Sequence, residues 1–217
     1  MKKDTKAFTL AEVLITLGII GVVAAISIPT LMQNTNRKDT VSKVKKGFNT
    51  FSNAFSLAVA TNGNIDKWGL SGTSTKEDAI LIAEKVKPYL NIIKDCEVDK
   101  TGCIYSGMYK SLNNNDLGNY QSSTSYYKLL LHDGTAIAFK DGGNDRQDVW
   151  AYFDINGEKG PNKLGIDLFV FEVEKEGKIL PIKERPNMLY QACNKSANGA
   201  ACSSYILENS NMDYLDE

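Results

Sequence analysis

The chain has 217 residues, enough for one domain of ordinary size and an appendage. Its 25 basic and 26 acidic side chains leave a formal charge of -1, which gives no overall pull towards nucleic acid. With 42% hydrophobic and 24% charged residues it sits near the globular average, which excludes wholesale disorder, a collagen-like repeat and a polytopic membrane protein.

The opening residues MKKDTKA (1–7) are polar and net positive, and FTLAEVLITLGIIGVVAAISI (8–28) follows without a spacer. As a helix these 21 residues reach about 31 Å, matching a hydrocarbon core of about 30 Å. One acid interrupts the run. Glu12 is costly at that depth unless it is neutral, near the interface or paired, so it reads as functional. An ordinary secretory signal would be shorter and followed by a small-x-small cleavage site, for which Ala24, Ala25 and Ser27 offer only a loose match. A plain signal anchor explains the length and leaves Glu12 without a purpose.

The stretch AFTLAEVLITLGIIGVVAAISIP (7–29) resembles the N-terminal cleavage and methylation segment shared by type IV pilins and the pseudopilins of type II secretion systems. The resemblance is confined to this N-terminal stretch. It implies that a prepilin peptidase cuts between Ala7 and Phe8 and that Phe8 is then N-methylated. It places Glu12 at the family's glutamate position and Pro29 at its helix-bending proline, while Ala7 stands where glycine is commoner. It also implies the partners: the peptidase, copies of the chain or other pilins and pseudopilins, and cytoplasmic membrane lipid. The implied location is the bacterial cytoplasmic membrane, single-pass with the head outside the cytoplasm, and then a filament. Elementary electrostatics agrees, because a new ammonium at Phe8 lies within a few residues of the Glu12 carboxylate, and either ion left unpaired in an apolar bundle is strongly penalised. Glu12 then acts as a registry device between subunits. Charge counting alone does not orient the segment, since Lys2, Lys3 and Lys6 precede it and Arg37, Lys38, Lys43, Lys45 and Lys46 follow it.

The next stretch, 30–61, carries Val41, Val44, Phe48, Phe51, Phe55 and Ala58 at spacings of three and four, which makes one helical face apolar. Lys43, Lys45, Asn49 and Asn53 occupy the opposite face, and Asn62-Gly63 supplies a stop. The basic residues from Arg37 to Lys46 would suit anionic head groups or a phosphate backbone, but no aromatic residues interleave with them, so a solvated helix face is the better reading and nucleic acid is disfavoured as a partner. The expected organisation is a leader at 1–7, a transmembrane and assembly segment at 8–29, an amphipathic continuation at 30–61 and a head at 62–217.

Within the head, TKEDAILIAEKVKPYLNIIKDC (75–96) carries a helical pattern, capped by Thr75 and Asp78 and running to about Leu90, with Pro88 bending or dividing it. Residues 95–125 are rich in Asn, Gly and Ser and read as a long surface loop. YYKLLLHDGTAIAF (126–139) predicts a hairpin turning at Asp133-Gly134, and strands follow at 149–155 and 166–173, with a short addition near 180. The fold class is therefore α+β: a long N-terminal transmembrane or spine helix packed on a small antiparallel sheet of about four strands. The resemblance to pilins implies the same arrangement.

Cys96, Cys103, Cys193 and Cys202 fall into two local pairs, although four cysteines permit about three pairings and spacing alone does not choose. Disulfides would place the head in an oxidising compartment. A disulfide-closed C-terminal loop is common in type IV pilins, so the resemblance implies one at 193–202. Between the last two long strands, Asp154, Asn156, Glu158, Asn162 and Asp167 supply oxygens around glycines, which is the chemistry a structural calcium ion wants. The loop is not an EF-hand, because Lys159 and Gly165 stand where glycine and an acid are needed. The competing reading is a set of side-chain turns shaped by Gly157, Gly160 and Pro161. No cofactor is otherwise required. Catalysis is not expected: the single histidine, His132, sits beside a hairpin turn, and no GxSxG or P-loop pattern occurs. The expected function is a structural subunit of a type IV pilus or type II secretion pseudopilus. The alternative is a minor pilin whose head binds DNA or a surface ligand, and an uncleaved membrane anchor is the third reading.

Overall fold

The computed structural model describes residues 9–143, 148–182 and 193–216. These fall into two units, one ending at Asp39 and the other beginning at Thr40. Helix α1 (Leu10–Asn62) contributes to both. In the first unit the Leu, Ile and Val side chains from Leu10 to Leu31 are all exposed. This part includes a window of mean hydropathy 2.3 and is long and apolar enough to cross a membrane. Pro29 lies inside the helix, where its missing N–H removes one backbone hydrogen bond.

In the second unit α1 turns one face inward. Val41, Val44, Gly47, Phe51, Ala54, Phe55 and Ala58 are buried, and Phe48 packs at the margin, so the three-and-four spacing becomes a packed stripe. Helix α2 (Lys76–Val86) starts at a capping box, with Thr75 Oγ1 accepting from the Asp78 N–H while the Asp78 carboxylate accepts from the Thr75 N–H. It stops at Val86 instead of continuing to about Leu90, because the 3-10 turn Lys87–Tyr89 forms around Pro88.

The main sheet is antiparallel and has six strands rather than about four. Strands β1 (Ile92–Glu97), β4 (Tyr127–Leu131), β5 (Ala136–Asp141), β6 (Val149–Asp154), β7 (Leu168–Val173) and β8 (Ile179–Pro181) lie in that order across it. A separate ribbon pairs β2 (Tyr109–Lys110) with β3 (Asp116–Gly118), inside the stretch expected to be loop. The β4–β5 hairpin turns at Asp133-Gly134 as expected, with Gly134 at φ +80°, the left-handed region that glycine enters freely. Helix α3 (Cys202–Asn209), which the sequence reading did not anticipate, is fixed to β7 by the Ser203 hydroxyl donating to the Val170 carbonyl at 2.8 Å.

Strand alternation divides the buried side chains between two faces. Ile137, Phe139, Ala151, Phe153, Phe169 and Phe171 join the core built on α1 and α2. Phe51 is its centre, with ring centroids 6.2 Å from Phe139, 5.3 Å from Phe153 and 6.2 Å from Phe171. Gly47 lets α1 approach this closely, since a Cβ there would overlap the Phe153 ring. On the other face Ala138, Tyr152, Leu168 and Val170 form a second core with Tyr109 and Ala200. Every residue of β7 is consequently buried.

Candidate functional site

The start of α1 is the first place where chemistry concentrates. Ala7 and Phe8, the expected processing residues, lie outside the described residues. Thr9 and Glu12 form a second capping box: the Thr9 N–H and hydroxyl each donate to Glu12 Oε2 at 2.8 Å, and Thr9 Oγ1 accepts from the Glu12 N–H at 3.2 Å. Glu12 thus satisfies a donor that the first helical turn leaves open, and it puts negative charge at the positive end of the helix dipole. The sequence signal for this cap is the T-x-x-E pattern of Thr9 to Glu12, which the charge of Glu12 overshadows. Pro29, the other expected assembly residue, is exposed within α1.

The basic residues after the apolar run do not form a bare cationic face. Lys46 pairs with Asp133 at 2.7 Å, Lys45 donates to Ser210, and Arg37, Lys38 and Lys43 are partnered as well. His132 sits at the hairpin turn, its main-chain N–H donating to the Asn91 carbonyl at 3.1 Å.

All four cysteines are paired, Cys96 with Cys103 and Cys193 with Cys202. The first bridge ties β1 to the segment that follows it. The second joins the start of the C-terminal stretch 193–216 to the first residue of α3.

The connection from β6 to β7 gathers four of the five residues expected around a cation. Asp154 Oδ1 accepts from the N–H groups of Asn156 at 3.0 Å and Gly157 at 2.9 Å, while Oδ2 accepts from the Tyr109 hydroxyl at 2.6 Å. Asp167 Oδ2 accepts from the Asn162 N–H at 2.7 Å and Oδ1 from the Lys163 N–H at 2.6 Å. Both carboxylates therefore shape turns, as the competing reading held. Two oxygens stay open, because Asn156 Oδ1 and Asn162 Oδ1 are buried without a hydrogen-bond partner. Glu158 is exposed, and among the described residues no three His, Cys, Asp or Glu side chains converge as a metal cluster. Burial pushes Asp154 up to about 7, opposed by the Tyr109 hydrogen bond and reinforced by Asp167. Asp167 is raised by the same burial, and Tyr109 is raised by burial and by the Asp154 charge. Asp154, Asp167, Asn156 and Asn162 are the residues that could hold a hard cation, whose charge would offset two buried carboxylates, although the carboxylate oxygens already accept hydrogen bonds and the Asn156 amide nitrogen faces Asp167 Oδ2 at 3.4 Å. Sequence spacing had no means of finding Tyr109, which reaches the loop from β2, 45 residues before Asp154.

Residues 2–28 match the family model for the prokaryotic N-terminal methylation motif, the signal region of type IV pilins and pseudopilins. No curated protein and no solved structure matches the chain.

Proposed function

We propose that the chain is the precursor of a filament subunit of the type IV pilus or type II secretion pseudopilus class. A prepilin peptidase removes residues 1–7, Phe8 is N-methylated, and the mature chain assembles through the first half of α1 with copies of itself or related subunits. One observation carries this reading: the methylation motif at 2–28 coincides with a helical segment whose Leu, Ile and Val side chains are all exposed. Such a surface is stable in lipid, and on leaving lipid it needs the corresponding helices of neighbouring subunits. Before assembly the segment holds the precursor in the cytoplasmic membrane, with the head on the oxidising side that two disulfides suit. In the assembled bundle Glu12, already seated at the helix start, neutralises the Phe8 ammonium of its own or a neighbouring chain. The alternative, a nucleic-acid-binding head, would use the basic residues from Arg37 to Lys46, which make surface contacts such as Lys46 with Asp133 and Lys45 with Ser210.

The reading is tested by shearing filaments from cells that express the chain with and without an active prepilin peptidase. Processed chain in the filament fraction of the first strain alone is the expected result. A chain that stays in the membrane with its leader in both strains overturns it.

We propose further that Asp154, Asp167, Asn156 and Asn162 hold a structural calcium ion. Support comes from the two buried amide oxygens that have no donor beside two carboxylates burdened by burial. Bound there, the ion supplies positive charge and fixes the β6–β7 connection.

A further inference from the structure

Lys128 is the second residue of β4, opposite Ala138 of β5, on the face of the sheet turned away from α1. Lysine is among the residues least often fully buried, yet Lys128 is 0% exposed. Its ammonium carries three N–H donors and no acceptor, and each donor has a main-chain carbonyl. Nζ donates to the oxygens of Val98 at 2.6 Å, Gln121 at 3.0 Å and Ser123 at 3.0 Å. Burial pulls the group down to about 8, with Asp99 opposing that pull, so it still carries its proton at neutral pH.

The three carbonyls belong to the two ends of one excursion. Val98 follows β1 directly, and Gln121 and Ser123 precede β4. The base of everything between them, including the β2–β3 ribbon and the exposed Met108 and Leu117, is therefore closed on one buried charge, beside the Cys96–Cys103 disulfide. The Gln121 amide reinforces the closure by donating to the Lys100 carbonyl at 2.7 Å. Converging main-chain carbonyls at such distances are how proteins replace the hydration shell of a monovalent cation. We propose that Val98, Gln121 and Ser123 form a monovalent-cation site of the size that takes ammonium or potassium, and that Lys128 fills it from within the chain. Lys128 is then a positioning residue. The charge that closes the excursion is thus supplied by the chain itself.

The test uses the full chain in detergent at neutral pH and reads hydrogen exchange of the amides at 98–126, with those of β5 and β6 as internal reference. In Lys128→Ala the excursion should lose protection by about tenfold or more, since three buried carbonyls lose their donors, while β5 and β6 keep theirs. Added n-propylammonium or potassium should restore it, and n-propanol should not. Unchanged protection, or equal rescue by the alcohol, overturns the proposal. If Lys128→Ala loosens the whole sheet, Lys128→Met keeps the apolar stem without the charge, and a protected excursion in that variant overturns it equally. In the unmodified chain, nitrogen-15 spectra of labelled lysine should show a slowly exchanging Lys128 ammonium; a neutral or freely exchanging amine also refutes it.

Discussion

Glu12 caps its own helix and, in the proposed filament, pairs with a charge; substitutions divide the two. In the single chain its carboxylate closes the capping box with Thr9 through two donors on Oε2. In the proposed filament it neutralises the Phe8 ammonium. Thr9→Ala removes the side-chain half of the cap and leaves the charge. Glu12→Gln does the reverse, because glutamine still offers an oxygen to the Thr9 N–H in a capping box. Glu12→Ala removes both. An N-cap of this kind is worth about 1 kcal/mol, so Thr9→Ala should alter the occupancy of the first turn by about fivefold and assembly by no more than that. An ammonium left unpaired in an apolar bundle is far costlier, and Glu12→Gln should lower assembly by about a hundredfold or more. The assay is the ratio of processed chain in sheared filaments to that in the membrane, with insertion and leader removal checked in the same samples. The expected order is wild type, then Thr9→Ala close behind it, then Glu12→Gln and Glu12→Ala together at the bottom. Glu12→Gln assembling like wild type would refute the pairing role, and Thr9→Ala failing as badly as Glu12→Ala would show that the cap is the whole effect.

Phe51→Ala removes a fully buried ring that touches three others, and should cost about 3–5 kcal/mol in denaturant unfolding of the full chain in detergent, whereas the exposed Leu57→Ala should stay within about 0.5 kcal/mol; similar losses would place the core wrongly. Burial raises Asp154 to about 7, so the folded head holds that proton more tightly than the unfolded chain does. Its contribution is fully present below about pH 4 and is lost as pH rises through about 7. With chelator present, Asp154→Asn should therefore gain on wild type between pH 4.5 and pH 8, and parallel pH profiles would contradict the assignment. Millimolar calcium at pH 8 should raise the melting temperature of the wild type and of Glu158→Gln but not of Asp167→Asn. No shift in any of them removes the calcium proposal.

The parts of the fold that could be read in advance are those where one physical pattern dominates. The apolar run from Phe8, the stripe from Val41 to Ala58 and the alternation in β4 to β7 each follow from burying one face or one span. Strand β1 escaped because it is an edge strand with two register irregularities, and its exposed Ile93 and Lys94 break the alternation. Helix α3 escaped because its eight residues carry no side-chain cap and no long periodicity. Lys128 was invisible for a different reason. A lysine inside a strand reads as solvent-facing, and only the return of Val98, Gln121 and Ser123 to one point shows what buries it. The same holds for Tyr109 at Asp154: contacts between distant segments belong to the tertiary fold, and spacing along the chain does not encode them.

The most direct test of the filament-subunit reading is the intact mass and N-terminal sequence of the membrane-extracted chain, co-expressed with a prepilin peptidase and measured with and without reductant. The expected product begins at N-methyl-Phe8 and gains the hydrogens of two disulfides on reduction. A chain that still begins at Met1 and carries four free thiols would mean an uncleaved anchor in a reducing compartment, and it would contradict the proposed function at its first step.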